Sequence, residues 1–142
     1  MTRRQEYAVR IHAYGGAEQL RHEAIDVSAP AAGEVQIRQH AIGINYLDTY
    51  HRRGVFPLRS LPGALGVEAA GEVVAVGEGV TRFAPGDRVA YACPPIGSYA
   101  SLRNLPQRLV LRLPAGVSFE QAAAAPLEGL TAPMLLHRVT GP

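Results

Sequence analysis

Tryptophan is absent, cysteine occurs once, at position 93, and aromatic residues make up only 6% of the 142-residue chain. One thiol closes no internal disulfide and builds no cysteine-rich zinc cage. Charge is sparse at 18%, and 14 basic against 12 acidic residues leave a net +2. The basic residues are scattered, so no nucleic-acid surface is marked. No uncharged apolar stretch approaches the roughly 18 residues that cross a bilayer. The first residues are charged but lack the apolar segment of a signal peptide behind them. Repeats and low-complexity tracts are missing apart from the short Ala122 to Ala125 run. Together these absences predict a soluble, cytoplasmic protein. Its length is that of one domain, roughly 100–200 residues, and folding at this size needs neither disulfide nor metal.

Glycine (15) and proline (11) are plentiful and punctuate the chain. Residues 6–13 alternate Tyr7, Val9 and Ile11 on one face against Ala8, Arg10 and His12 on the other, the pattern of a half-buried strand. Gly15-Gly16 turns the chain, 20–27 repeats the alternation weakly, and 35–39 resumes it clearly. Asn45 reads as a helix N-cap, Asp48 as a first-turn acid, Arg52 and Arg53 as last-turn bases and Gly54 as the stop. Residues 56–66 are too rich in breakers for regular structure. Residues 67–76 read as one long strand, bent or bulged at Gly71. Turns at Gly77-Glu78-Gly79 and Pro85-Gly86-Asp87 lead to a strand over 88–92, and further strands are expected over 98–102 and 109–113. Ser118-Phe119-Glu120-Gln121 is a capping box opening a helix that ends near Pro126. A second helix over 128–138 contains Pro133, which predicts a kink or a late start. The pattern is that of a small, partly open β-barrel, mainly β, with C-terminal helices.

Chemistry is hard to place from the residues alone. His12, His22, His40, His51 and His137 are widely separated, so they read as solvated or structural and no metal site is predicted. Cys93 has neither a base nor a charge among its neighbours Ala92, Pro94 and Pro95, and reads as a small strand-end residue. After Gly77 and Gly79, Arg82 stands where a dinucleotide fingerprint needs its third glycine, so no phosphate cradle is complete.

The ordered string Ala41-Ile42-Gly43-Ile44-Asn45-Tyr46-Leu47-Asp48-Thr49-Tyr50, then Arg53-Gly54, Phe56-Pro57, Pro62-Gly63, Gly66, Glu68 and Gly71, resembles the N-terminal region of zinc-independent, zeta-crystallin-like quinone oxidoreductases of the medium-chain dehydrogenase/reductase superfamily. Val76-Gly77, Gly79-Val80, Pro85 to Val89, Gly97, Tyr99-Ala100, Leu113-Pro114 and Gly129-Leu130-Thr131-Ala132 continue the resemblance over nearly the whole chain.

The resemblance implies a GroES-like catalytic domain over 1–125. Residues 126–142 would then begin the helical connection to a Rossmann domain missing from this chain. It implies hydride transfer from NADPH to a quinone or enone-like carbonyl, with the isolated chain inactive or very weak. Asn45 and Thr131 would be cofactor-binding, Tyr50 would line the substrate cleft and donate a hydrogen bond to the oxygen that gains charge, and Phe56 would stack on a flat quinone. Asp48 and Glu68 read as fold support. Asn45 and Val67 stand where zinc-dependent relatives carry cysteine and histidine. Phe56 replaces a tyrosine frequent in the family, Glu128 replaces a lysine of some relatives, and Pro133 interrupts a helix that others run without it. The competing reading is a stand-alone barrel acting as a binding or self-association module, through Leu127, Leu130, Met134, Leu135 and Leu136.

Overall fold

The computed structural model describes residues 4–92 and 94–138. The reading of Cys93 and of residues 139–142 therefore lies outside the described residues. Eight strands and three α-helices follow in order: β1 (Glu6–Ile11), β2 (Arg21–Ile25), β3 (Glu34–Ile42), α1 (Tyr46–Arg53), β4 (Gly63–Ala64), β5 (Glu68–Val76), β6 (Arg88–Ala92), β7 (Leu102–Pro106), β8 (Leu111–Arg112), α2 (Phe119–Ala123) and α3 (Pro126–Arg138). They form an antiparallel three-stranded sheet, β2-β1-β4, and a five-stranded one, β7-β3-β5-β6-β8. The sheets do not close into a barrel. The expectation of a mainly β, partly open architecture with C-terminal helices is met.

β5 is the centre of the large sheet and is buried on both faces at its start. One face carries Val35, Ile37, Ala69, Val73, Val89, Tyr91 and Leu105. On the other, Ala70 and Ala90 meet Ala122 and Ala123 of α2. Alanine on both sides removes the bulk that would hold helix and sheet apart, so α2 lies close on β5 and β3.

The β3–β5 ladder is interrupted twice. Gln36 pairs with Ala75 and Ile37 with Val73, leaving Val74 extra on β5; Gln39 pairs with Gly71 and Ala41 with Ala70, leaving His40 extra on β3. Such bulges bend a strand. Gly71 lies between them and is not itself the bulge. A Cβ there would stand 2.0 Å from the Arg38 carbonyl oxygen, so its missing side chain lets two backbones approach.

Several local expectations are corrected by long-range contacts. In β1 the inward residues are Glu6, Ala8 and Ile11, while Tyr7 is exposed. Glu6 is drawn in because Arg38 of β3 donates to both its oxygens, at 2.9 and 3.2 Å, and Ser101 Oγ donates at 2.6 Å. Residues 98–101 make only an isolated bridge, Ala8 to Ala100, and the strand begins at Leu102 instead, where β3 offers an unpaired edge. The last strand shrinks to two residues after a 3-10 turn over Gln107–Leu109. Within the breaker-rich loop, Gly63 and Ala64 pair with β1. α3 starts at Pro126, earlier than residue 128, and continues through Pro133. Proline suits the first helical position, where its missing N–H has no intrahelical partner to lose.

The Glu6 contacts carry a pH consequence. The Arg38 guanidinium, with help from the Ser101 hydroxyl and against burial, holds this carboxyl below the usual glutamate range. A carboxylate whose folded pKa is lowered contributes stability above its unfolded pKa, about 4.3, and loses it as pH falls through the folded value. Glu6→Gln is therefore expected to lower the urea midpoint at pH 7 and to shrink the drop between pH 7 and pH 3. An unchanged drop would contradict it.

Candidate functional site

The segment from Gly43 to Phe56 carries most of the side chains singled out above, and its shape follows from three local devices. Gly43 donates its N–H to the Glu68 main-chain oxygen at 3.2 Å. A Cβ there would lie 2.3 Å from the Ala123 carbonyl oxygen and 2.5 Å from Glu68 Oε1, so only glycine lets β3, β5 and the end of α2 converge. Asn45, in extended conformation, is the N-cap of α1, and Asp48 three residues on supplies the side-chain half of a capping box. The Asn45 N–H donates to Asp48 Oδ2 at 2.9 Å, and the Asp48 N–H donates to the Asn45 main-chain oxygen at 3.0 Å. Gly54, at φ 79°, closes the helix in the left-handed conformation.

Beneath this segment lies a chain of buried polar groups. Asp48 is 5% exposed, and its Oδ2 also accepts from the Tyr99 hydroxyl at 2.8 Å; its Oδ1 is buried with no partner among the described residues. Burial first, and the Asp48 carboxyl second, push the Tyr99 phenol well above its ordinary range. Glu68 is 2% exposed. Its Oε1 accepts from Asn45 Nδ2 at 2.7 Å and its Oε2 from the Leu127 N–H at 2.9 Å. Leu127 follows Pro126 at the start of α3, where N–H groups lack intrahelical acceptors. One carboxylate thus supplies an acceptor to that helix end while holding the Asn45 amide.

Further along α1, Tyr46 and Tyr50 stand one turn apart on one face, edge to face at 5.3 Å between ring centres. Tyr50 meets Phe56 in the same way at 5.8 Å. Phe56 is held there because its carbonyl accepts from His51 Nδ1 at 2.9 Å, which requires the proton on that nitrogen. The three rings form an exposed aromatic ladder, and the hydroxyls of Tyr46 and Tyr50 make no hydrogen bond among the described residues. An apolar groove of about 560 Å³ is lined by Tyr7, Leu20, His22, Ile42, Ile44 and Tyr99, and Asn45 is not among its walls.

The structure brings Asn45 directly to Glu68 and, through it, to α3. Thr131 lies one turn beyond Leu127, and its hydroxyl donates to the Leu127 carbonyl at 2.7 Å. Its donor is engaged within the helix, which leaves the hydroxyl oxygen as an acceptor. Tyr50 and Phe56 sit at the other end of α1, about 7–8 Å of helix axis from the cap for Tyr50. Glu128 is exposed. Glu68, read from the sequence as fold support, joins Asn45 to the start of α3. Its signal was a charged residue within the apolar run Val67, Ala69 and Ala70, since an acid at such a position is buried only when paired.

The histidines each have a place of their own. His12 meets Glu23 at 2.6 Å, His22 stacks on Tyr7, His40 stacks on Phe119, His51 binds Phe56 and His137 is exposed in the last turn of α3. No group of three metal-ligating side chains converges among the described residues.

Residues 31–115, more than half the chain, match the alcohol dehydrogenase GroES-like domain family. The chain belongs to that family. This GroES-like domain is 48% identical over 138 residues to a quinone oxidoreductase of Pseudomonas aeruginosa, covering 97% of the chain and 41% of that relative. It is 40% identical over 136 residues to a 2-haloacrylate reductase of Burkholderia, covering 92% of the chain and 41% of that relative. The crystal structure of an Escherichia coli quinone oxidoreductase complexed with NADPH superimposes with a TM-score of 0.91 at 45% identity, over 94% of the chain and 41% of the other. The similarity to quinone oxidoreductases read from the motifs is thereby shown. The GroES-like domain spans about two fifths of the length of the curated relatives it matches. No helix among its described residues is long and apolar enough to cross a membrane.

Proposed function

We propose that this chain is the catalytic-domain portion of an NADPH-dependent quinone oxidoreductase that reduces a quinone or an enone-like carbonyl compound. The observation that carries the reading is the Asn45 amide. It is fixed by a buried carboxylate at the head of a helix whose exposed rings offer flat apolar surface, in a chain similar to enzymes of that activity. NADPH, when bound, supplies the hydride.

The residues present suit its nicotinamide end. Asn45 keeps one amide N–H beyond the bond to Glu68, Thr131 offers an acceptor, and Tyr50 and Phe56 offer ring faces and one free phenol. Tyr50 would donate to the substrate oxygen as charge develops on it. Phe56 would stack on a flat quinone and has no proton to give. The sequence holds no complete phosphate cradle, so on this reading the pyrophosphate contacts would come from a Rossmann domain, with residues 126–142 as the start of the connection to it.

The test is a fluorescence titration of NADPH into the purified chain, with NADH alongside and Asn45→Ala as control. Saturable binding weakened at least about fivefold in the variant, roughly one hydrogen bond, is expected. Absence of binding at millimolar NADPH means that the domain missing from this chain supplies essentially all of the affinity, and equal binding by Asn45→Ala overturns the site. Turnover is expected to be undetectable or very weak, and brisk NADPH oxidation with a simple quinone would show that no second domain is required.

One observation favours a second reading, a self-association module: Leu130, Met134, Leu135 and Leu136 on α3 are each about half exposed or more. Sedimentation velocity over a hundredfold concentration range separates the two. A concentration-dependent oligomer lost on Leu136→Glu supports the module, and a monomer throughout removes it.

A further inference from the structure

We propose that Glu68 is a positioning residue: its carboxylate dictates which way round the Asn45 amide is held, and so which hydrogen-bonding groups that amide has left for a ligand. The proposal deepens the reading above and rests on it for the identity of the ligand.

The argument is one of donors and acceptors. Glu68 Oε1 faces Asn45 Nδ2 at 2.7 Å and Oε2 faces the Leu127 N–H at 2.9 Å. Both partners donate, so position 68 must present two acceptor atoms. A carboxylate does so and a carboxamide does not. The side chain is 2% exposed, so no water replaces a lost partner at little expense.

Its direction is also enforced. Gly43 leaves no room to spare, since Glu68 Cγ and Oε1 both lie 2.5 Å from where a Cβ at that position would be. The Leu127 N–H belongs to a helix backbone and cannot turn. The Asn45 side chain can, by half a rotation about its last torsion, and the carboxylate holds it in one of the two settings.

Glu68→Gln changes this without changing shape. Its single carbonyl goes to Leu127, its NH2 then faces Asn45, and Asn45 must turn its own carbonyl inward. The helix start is kept while the cleft amide is inverted. Adding Asn45→Asp gives a swap, in which the Gln NH2 donates to the new carboxylate. The bridge, the charge count and the volume return, but the amide at position 45 is gone. A structural role follows the bridge, whereas a positioning role follows the amide.

The experiment uses the full chain and its Glu68→Gln, Asn45→Asp and doubly substituted forms. Three readouts are taken: the Asn45 side-chain amide signals in a 15N correlation spectrum, the thermal midpoint, and NADPH affinity. In the unsubstituted chain one Asn45 amide proton is expected downfield and slowly exchanging, through its bond to Glu68. In Glu68→Gln that signal is lost, the Leu127 backbone amide stays protected, and NADPH binds at least fivefold more weakly. The swap regains the thermal midpoint that Asn45→Asp alone loses, and does not regain NADPH affinity. Unchanged Asn45 amide signals in Glu68→Gln overturn the proposal. So does recovery of both midpoint and affinity in the swap, because the bridge alone would then matter. If the unsubstituted chain fails to bind NADPH, the domain missing from this chain carries the affinity, and the amide signals with the thermal midpoints decide the positioning claim.

Discussion

Gly71→Ala is expected to be among the most destabilising single changes in the chain. The added Cβ would lie 2.0 Å from the Arg38 carbonyl oxygen, 2.8 Å from the Gln39 Cα and 2.9 Å from the Arg38 carbonyl carbon. All three obstacles are backbone, so no rotamer change relieves them. β5 is also paired on both edges, to β3 and β6, and cannot swing aside without breaking one ladder. Overpacking a core typically costs 1–3 kcal/mol when side chains can yield, and here they cannot, so a loss above about 3 kcal/mol is expected. Against a typical total stability of about 5–15 kcal/mol, that is enough to move the thermal midpoint by about 10 °C or more. Gly79→Ala is the control, because its φ of 74° is strained for alanine but nothing lies within 4 Å of the new carbon. That change should cost only about 1 kcal/mol. Equal midpoints for the two variants would refute the close-approach argument.

Asp48→Ala is the second severe change expected. It strips two donors of their acceptor at once, the Tyr99 hydroxyl and the Asn45 N–H, in a place with almost no solvent access. Each buried orphan costs about 1–3 kcal/mol, so a total near 3 kcal/mol is expected, together with fraying of the first turn of α1. Asp48→Asn keeps a carbonyl at the Oδ2 position and should lose far less, since Oδ1 has no partner to forfeit. Urea denaturation of Asp48→Ala, Tyr99→Phe and the double variant gives the coupling directly, expected at about 1–2 kcal/mol. Additive losses would mean that the two groups do not act together.

The Tyr99–Asp48 bond has an alkaline signature as well. A phenol whose folded pKa is raised contributes stability that is fully present below its unfolded value, about 10, and is lost as pH rises through the folded one. Tyr99→Phe should therefore flatten the decline of stability above pH 10 while lowering the plateau at neutral pH. A decline as steep as that of the unsubstituted chain would assign it to other groups.

Elements whose ends are marked by local chemistry were legible in the sequence. α1 runs between the Asn45 cap and the Gly54 stop, and α2 opens on the Ser118–Gln121 box, whose two bonds are 2.9 and 3.2 Å. β6 occupies the five residues 88–92 expected after the Pro85-Gly86-Asp87 turn. What failed depended on partners far along the chain. The inward face of β1 is decided by Arg38 and Ser101, which lie 32 and 95 residues from Glu6. β7 holds Asn104 and Pro106, poor strand residues by propensity, and is a strand because β3 pairs with it.

The site divides the same way. Asn45, Tyr50, Phe56 and Thr131 were singled out by resemblance, and three of them cluster on α1 and its exit. Their geometry was not readable, because Glu68 meets Asn45 across 23 residues and Leu127 across 59. No periodicity encodes which two donors a lone buried acid will receive.

The paired bulges of β3 and β5 behave like two frameshifts of opposite sign in a coding message. The extra Val74 displaces the pairing by one position, the extra His40 displaces it back, and only the stretch between them is read in the altered frame. Upstream and downstream of that stretch the two strands keep a common register, so Val35 and Ala41 both find the partners an unbroken ladder would have given them. Deleting either residue alone would leave an uncorrected shift running to the end of the ladder and carry the pairing at Ala41 and Ile42 out of step. Deleting both would restore an uninterrupted ladder with the same pairs at its two ends. Neither residue can go without the other, and that constraint lies in the count of residues more than in their identity.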